Sequence, residues 1–446
     1  MTTSTQLEAG VAAVTVTPPV GTDLSGYAGR KGPATGVHDE LYAKTLVLRQ
    51  NGKTCLLITT DLIGLGAAIG RDIRRRIRER TGIPSTRVII VSSHTHSGPA
   101  TDVFPVGIAV ETPDPLYIET LKQRIVESAE AAIAMLQPAT IGCARTCASV
   151  NVNRKTVAGS FDLQPNPDGV VDREVGVVRI TRPDGRVLAH LVNYACHGVV
   201  LGSRNLKISA DYPGVVQRAM EEAFGGVTLF TNGACGNINP IVQGGTFTDV
   251  KRLGGEVAAA AVKISPGIET FQDPVVSMKS RVVELPYQRL SERALLAIIK
   301  REECRQVETA GTQANDAAGA VGVMWLAWAR AMLKRRRRGA MAESAKLTTR
   351  VLTIGPLALV AIPAEVFAET GLIVKQASPY AFTYVLGYAD GLVGYLPTRE
   401  AMRDGGYETW AYIAYGRRPF QATAESVLRR DVQSLLASKR RSRARK

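Results

Sequence analysis

Hydrophobic positions along this chain follow two rhythms. Short apolar, β-branched runs of the kind that fill a two-sided sheet recur over 10–15, 41–49, 54–60 and 87–91. They return over 173–180, 186–194, 227–231, 275–285, 357–362 and 382–386. Between them the spacing becomes helical: Ile69, Ile73 and Ile77 stand four apart and predict a helix over 69–80, and a second helix is predicted over 116–136. Pro183-Asp184-Gly185 is a turn signal that joins the runs on either side of it as a hairpin. The stretch 291–338, rich in alanine and charge, predicts a helical excursion reaching to about 345. Strands mixed with helices in this order give an α/β or α+β enzyme fold with a mixed sheet. No internal repeat stands out and no Pro/Gly/Ser linker divides the chain, so 1–438 reads as a single domain, with a basic, disordered tail at 439–446.

Composition narrows the class. At 446 residues and 45% hydrophobic the chain can bury a sizeable core. The N-terminus lacks a basic segment followed by an apolar one, and no later stretch stays apolar long enough to span a bilayer, so the expectation is a cytoplasmic protein without stable membrane insertion. Six cysteines are too sparse for a disulfide framework, and Cys143 and Cys147, four apart, have no second close pair to complete a thiolate metal site. The net charge of +15 resembles a nucleic-acid signal until it is located. Six arginines in 71–80, five basic residues in 334–338 and six in 439–446 exceed the whole net charge. The first run is expected on the wet face of its helix, the last in the tail, and no aromatics interleave with them, so no specific nucleic-acid partner is expected. A homo-oligomer stays open.

Candidate chemistry gathers where apolar runs end. The run Val88-Ile89-Ile90-Val91 stops in Ser92-Ser93-His94-Thr95-His96-Ser97-Gly98-Pro99, and the chain has only five histidines. In extended backbone alternate residues share a face, which would aim His94 and His96 at one point. A metal or catalytic pair and a pair merely satisfied by hydrogen bonds both remain open here. Later runs end alike: 187–194 in Ala195-Cys196-His197-Gly198, 227–231 in Asn232-Gly233-Ala234-Cys235-Gly236-Asn237-Ile238-Asn239-Pro240, 357–362 in Pro363-Ala364-Glu365, and 382–386 in Gly387-Tyr388 and on towards Tyr395. Small residues let a ligand approach backbone, and strand ends give polar groups a rigid base. Two duller readings stand beside these: Glu365 as a first-turn acid of a helix over 364–376, and Asp61 as a turn cap rather than the anchor of a ligand histidine.

Taken together, His94-Thr95-His96-Ser97-Gly98-Pro99, Asn193-Tyr194-Ala195-Cys196-His197-Gly198, Ile208-Ser209-Ala210-Asp211, Pro363-Ala364-Glu365-Val366-Phe367 and the early Gly36-Val37-His38-Asp39-Glu40-Leu41-Tyr42 resemble the ordered motifs of neutral, non-lysosomal ceramidases. The resemblance runs from about residue 9 to 424. It implies one catalytic zinc (Zn2+) held by His94, His197, Glu365 and Tyr395, with His96 beside the metal as a proton-transfer group and Arg154 stabilising negative charge on the substrate. Tyr388, Tyr407, Tyr412 and Tyr415 stand near Tyr395 in sequence and are expected in core or pocket wall.

The departures matter too. Where ceramidases carry a serine just before Pro-Asn in a Gly-rich loop, this chain has Asn239, so a serine nucleophile is not expected and Asn239 is assigned to hydrogen-bond the substrate instead. The chain also lacks the extra C-terminal β-domain and the leader of secreted ceramidases. The resulting expectation is a cytoplasmic zinc amidohydrolase cleaving a soluble small amide or related carbonyl compound, with an esterase or lactonase and a non-catalytic small-molecule-binding protein as alternatives. Specificity is assigned to loops 101–115, 156–172 and 243–248, whose residues carry no recognisable code.

Overall fold

The computed structural model describes residues 6–105, 111–155, 163–309 and 317–437. The tail at 439–446 and parts of the first two specificity loops, 106–110 and 156–162, lie outside them. The long strands are β1 (Glu8–Thr15), β2 (Tyr42–Gln50), β3 (Lys53–Thr60), β4 (Val88–Ser92), β5 (Thr140–Cys147), β6 (Glu174–Thr181), β7 (Val187–Tyr194), β8 (Val227–Asn232), β9 (Val276–Pro286), β10 (Ser344–Ile354), β11 (Leu357–Ala361) and β12 (Phe382–Leu386). Ten of them lie within about two residues of the apolar runs; β5 and β10 are strands those runs did not reveal.

The strands repeat one design three times. In β1-β2-β3, β5-β6-β7 and β9-β10-β11 each strand pairs antiparallel with the next. A fourth strand then pairs parallel with the third: β4 with β3, β8 with β7, β12 with β11. A parallel pair needs a crossover, and a helix supplies it each time: α1 (Ala67–Thr81), α3 (Asp211–Phe224) and α7 (Ala368–Gln376). The sequence shows no repeat because the units share topology and apolar alternation rather than residues.

Packing follows from two-sided burial. One face of every sheet meets a shared core that includes Leu46, Leu57 and Ile89 from the first unit, Ile141, Ile180 and Leu229 from the second, and Leu352, Leu359 and Leu386 from the third. The outer faces are covered in turn by α1 and α2 (Pro115–Ala134), by α3 and α4 (Phe247–Ile264), and by α7 and the C-terminal helix Ala424–Ala437. Strands covered on both faces read as near-continuous apolar runs, as these do.

The excursion forms a hairpin of α5 (Glu292–Thr309) and α6 (Ala317–Arg337), inserted between neighbouring strands β9 and β10. Trp328 and Met332 of α6 pack against Ile413 in the segment after the short helix Tyr407–Trp410. One charge expectation is corrected. Arg74 of α1 is not on the wet face but buried, paired to Asp390 beyond β12, because Asp390 also bonds Arg350 and needs two cations in that dry position. No described helix is long and apolar enough to cross a membrane.

Candidate metal centre

The carboxyl ends of the third and fourth strands of all three units meet, and the predicted ligands sit there. His94 and His96 follow β4, His197 follows β7, and Glu365 follows β11. The backbone route at the first is not the expected strand alternation. β4 ends at Ser92, and His94 adopts φ 60°, a left-handed conformation rare for a residue with a side chain. The two rings nonetheless converge, with Nε2 atoms 3.1 Å apart. Gly198 makes the crossing of the two histidine loops feasible: a Cβ there would lie 2.9 Å from the His94 carbonyl oxygen.

Each candidate ligand histidine is oriented by its other nitrogen. His94 Nδ1 donates to the Ile63 carbonyl (2.6 Å), and His197 Nδ1 donates to the Cys235 and Ile238 carbonyls (2.8 and 3.0 Å). Both Nε2 atoms are thereby left bare and face inward. Glu365, fully buried, brings Oε2 to 3.2 Å from His197 Nε2 and 3.6 Å from His94 Nε2. A tetrahedral zinc with bonds of about 2.0–2.2 Å separates its donors by about 3.3–3.6 Å, so the two distances from Glu365 Oε2 to the histidine nitrogens are close to the edges of one ion's coordination shell. Burial pushes His94 down to about 3 and holds His96 and His197 well below the ordinary imidazole range, keeping the rings in the neutral form that binds metal. The donor set fits zinc. His96 is the third imidazole of the cluster, all ligand atoms lying within 4.8 Å of one another, but its Nδ1 has no partner to fix it.

Arg154 is the hub of the second wall. Its Nε bonds Glu408 (2.9 Å), and Nη2 bonds the Gly236 carbonyl (2.7 Å) and the Tyr395 hydroxyl (2.9 Å). Nη1 bonds Asn239 Oδ1 (3.0 Å) and lies 3.4 Å from His197 Nε2. Four of the five guanidinium donors go to Glu408, Gly236, Tyr395 and Asn239, and the fifth points at His197 Nε2 itself, on the edge of the metal position.

Several expectations change. Asn239 Oδ1 accepts from Arg154 and its Nδ2 donates to Gln243 (2.6 Å), so in this structure it braces Arg154. Asp61 accepts from the Tyr42 amide and Gln217 and anchors no histidine. Glu365 lies in a short strand, Glu365–Val366, ahead of α7, not in the helix's first turn. Tyr395 pairs in register with Glu365 on the neighbouring strand, Tyr395–Leu396, but its hydroxyl meets Arg154. The hydroxyls that touch Glu365 are those of Tyr415, on Oε1, and Tyr388, 3.4 Å from Oε2, while the Tyr388 ring stacks on His94. Burial raises the pKa of both phenols, so both are donors. Reading tyrosines as pocket wall missed this role; no local signal separates one tyrosine hydroxyl from another.

Above the histidines lies a small cavity of about 80 Å3, lined by His94, His96, Tyr27, Phe104, Glu111, Met324, Tyr395, Tyr407 and Tyr415 among others. Its lining among the described residues contains no serine, threonine or cysteine. Cys235, close behind, bonds the Tyr388 hydroxyl, and burial pushes its thiol up to about 12. Tyr27, Glu111 and Met324 were not foreseen, since they come from loops and from the inserted hairpin.

The sequence profile described as "Neutral/alkaline non-lysosomal ceramidase, N-terminal" matches residues 7–256, over half the chain. The chain is 24% identical to a neutral ceramidase of Mycobacterium tuberculosis, across 91% of this chain and 73% of that one. It is 22% identical to a neutral ceramidase of Drosophila pseudoobscura pseudoobscura, of which it spans 37%. The crystal structure of neutral ceramidase from Pseudomonas aeruginosa superposes with a TM-score of 0.73 at 17% identity, covering 98% of this chain and 75% of that one, a likeness of fold.

Proposed function

The chain belongs to the neutral/alkaline non-lysosomal ceramidase family, a family of hydrolases, and from that premise we propose that it is a zinc-dependent amidohydrolase cleaving the C–N bond of a small amide. The observation that carries the reading is the convergence of His94 Nε2, His197 Nε2 and Glu365 Oε2, with both histidines oriented by backbone carbonyls. His94, His197 and Glu365 would hold the ion, with Tyr395, on the strand paired to Glu365, as the fourth ligand. Zinc bound there supplies a Lewis acid that polarises a carbonyl and brings water towards ionisation at neutral pH.

The remaining roles belong to protein groups. His96, neutral and facing the cavity 3.1 Å from His94 Nε2, takes a proton from water and returns it to the departing nitrogen. Arg154, held on Glu408, Asn239 and the Gly236 carbonyl, directs an N–H at the carbonyl oxygen as negative charge develops. Tyr415 and Tyr388 fix the Glu365 carboxylate. With no serine, threonine or cysteine lining the described cavity, the attacking oxygen comes from water and no acyl-enzyme forms. The volume of the cavity favours a small substrate over one enclosed along a long chain.

A panel of amides, lactams and esters, assayed with zinc supplied and again with a chelator, tests the reading. Amide turnover that is lost on chelation and restored by zinc is expected. Turnover of esters alone would replace it with an esterase, and a covalent acyl adduct on any side chain would reject direct attack by water.

A further inference from the structure

The cavity holds one carboxylate that the metal centre leaves unused. Glu111 lies in the first specificity loop, just before α2, and the residues after it are anchored: the Thr112 amide donates to Asp23 (3.1 Å), and Asp114 caps the helix through the Leu116 amide (2.9 Å). The side chain is only 7% exposed, yet it lines the same cavity as His94 and His96. Oε1 accepts from the Ser25 hydroxyl and Oε2 from the Gly26 amide (3.0 Å). A carboxylate offers about four acceptor positions, so each oxygen retains one beyond these contacts. Among the described residues Glu111 makes no ion pair. Arg30, the neighbouring cation, spends its two Nη groups on the Ser25 and His96 carbonyls (2.9 and 2.6 Å).

A carboxylate kept in this largely apolar cavity without an ion pair is costly unless a proton or a ligand's donor satisfies it. The same turn connects it to the reacting groups: Gly26, which bonds Glu111, packs so tightly on the His96 ring that a Cβ would lie 2.4 Å from Nδ1. We propose that Glu111 is the specificity-determining residue of this site, receiving an O–H or N–H donor carried by the substrate beside the scissile amide. The substrate class is then a hydroxy- or amino-substituted amide. This deepens the amidohydrolase reading and, for its kinetic part, rests on it. A site built to pair a donor rejects the isostere that lacks it, because the buried acceptor is left empty.

Two measurements test the assignment. In the first, the zinc-loaded enzyme is given amides differing only in a hydroxyl, ammonium or methyl group next to the reacting centre. At least one donor-bearing amide is expected to exceed the methyl isostere in kcat/KM by on the order of 10²-fold. E111Q should lose that advantage while hydrolysing the methyl isostere within about threefold of wild type. Preference for hydroxyl or for ammonium tells which donor the site takes. In the second, benzyl alcohol, benzylamine and toluene are compared as ligands by ligand-observed NMR, which needs no turnover and so separates failure of this proposal from failure of the amidohydrolase reading. At least one donor-bearing probe is expected to bind about tenfold tighter than toluene, with E111Q abolishing the difference. Equal binding of all three probes, or equal slowing of all substrates by E111Q, overturns the proposal. Should E111Q fail to fold, the wild-type comparisons alone still decide it.

Discussion

At the scale of single residues, the site works through what its side chains are already bonded to. Asn239 reaches Arg154 and Gln243, so Asn239→Ala should leave zinc bound and lower kcat by about 10–10² with little change in KM, since a loosened guanidinium fails chiefly where charge develops. A rise in KM alone would contradict that role. Glu111 gives a pH signature independent of catalysis. Burial lifts its carboxyl from 4.5 to about 7, so between those values the folded protein holds a proton that the unfolded chain releases. The protonated acid is the form the fold favours; stability therefore falls as pH rises from about 4.5 to 7. The difference in melting temperature between wild type and E111Q should shrink or reverse in favour of E111Q across that window, and a difference independent of pH would contradict the burial argument. The clustering of His94, His96 and His197 was legible at this scale because each follows an apolar run directly. Glu111, Tyr388 and Tyr415 were not: their partners Ser25, Gly26 and Glu365 are distant in sequence, and nothing local distinguishes them from wall residues.

At the scale of elements, strands and helices were read within a few residues wherever apolar spacing was regular, while partnerships across the chain were invisible. The amphipathic pattern of α1 correctly buried Ile69, Ile73 and Ile77 but sent Arg74 to solvent, because the reason for its burial, Asp390, lies 316 residues away. The helical hairpin was foreseen as an insertion, without a purpose. Its α6 brings Met324 into the cavity and packs Trp328 and Met332 behind the segment that carries Tyr415. Met324→Ala should therefore enlarge the cavity and shift preference towards bulkier substrates, costing about 2–3 kcal/mol of stability at most, given that Met324 lies at the cavity edge rather than in the central core. A series of amides graded in bulk checks this; an unchanged size preference would remove the hairpin from the specificity account.

At the scale of the whole molecule, three units of shared topology direct their parallel strand ends at one point, so that one of the three proposed ligands comes from each: His94, His197 and Glu365. The chain alone foretold a mixed α/β fold with histidines and a glutamate gathered at strand ends, but not the threefold arrangement, which lives in pairing order. The most direct test of that centre is metal stoichiometry. Purified, zinc-equilibrated wild type should contain about one zinc per chain by elemental analysis. The H94A/H197A double variant should contain almost none, and H96A, which removes the imidazole without a backbone anchor, should keep it. Full zinc content in the double variant, or loss of zinc on removing His96 alone, would contradict the site described here.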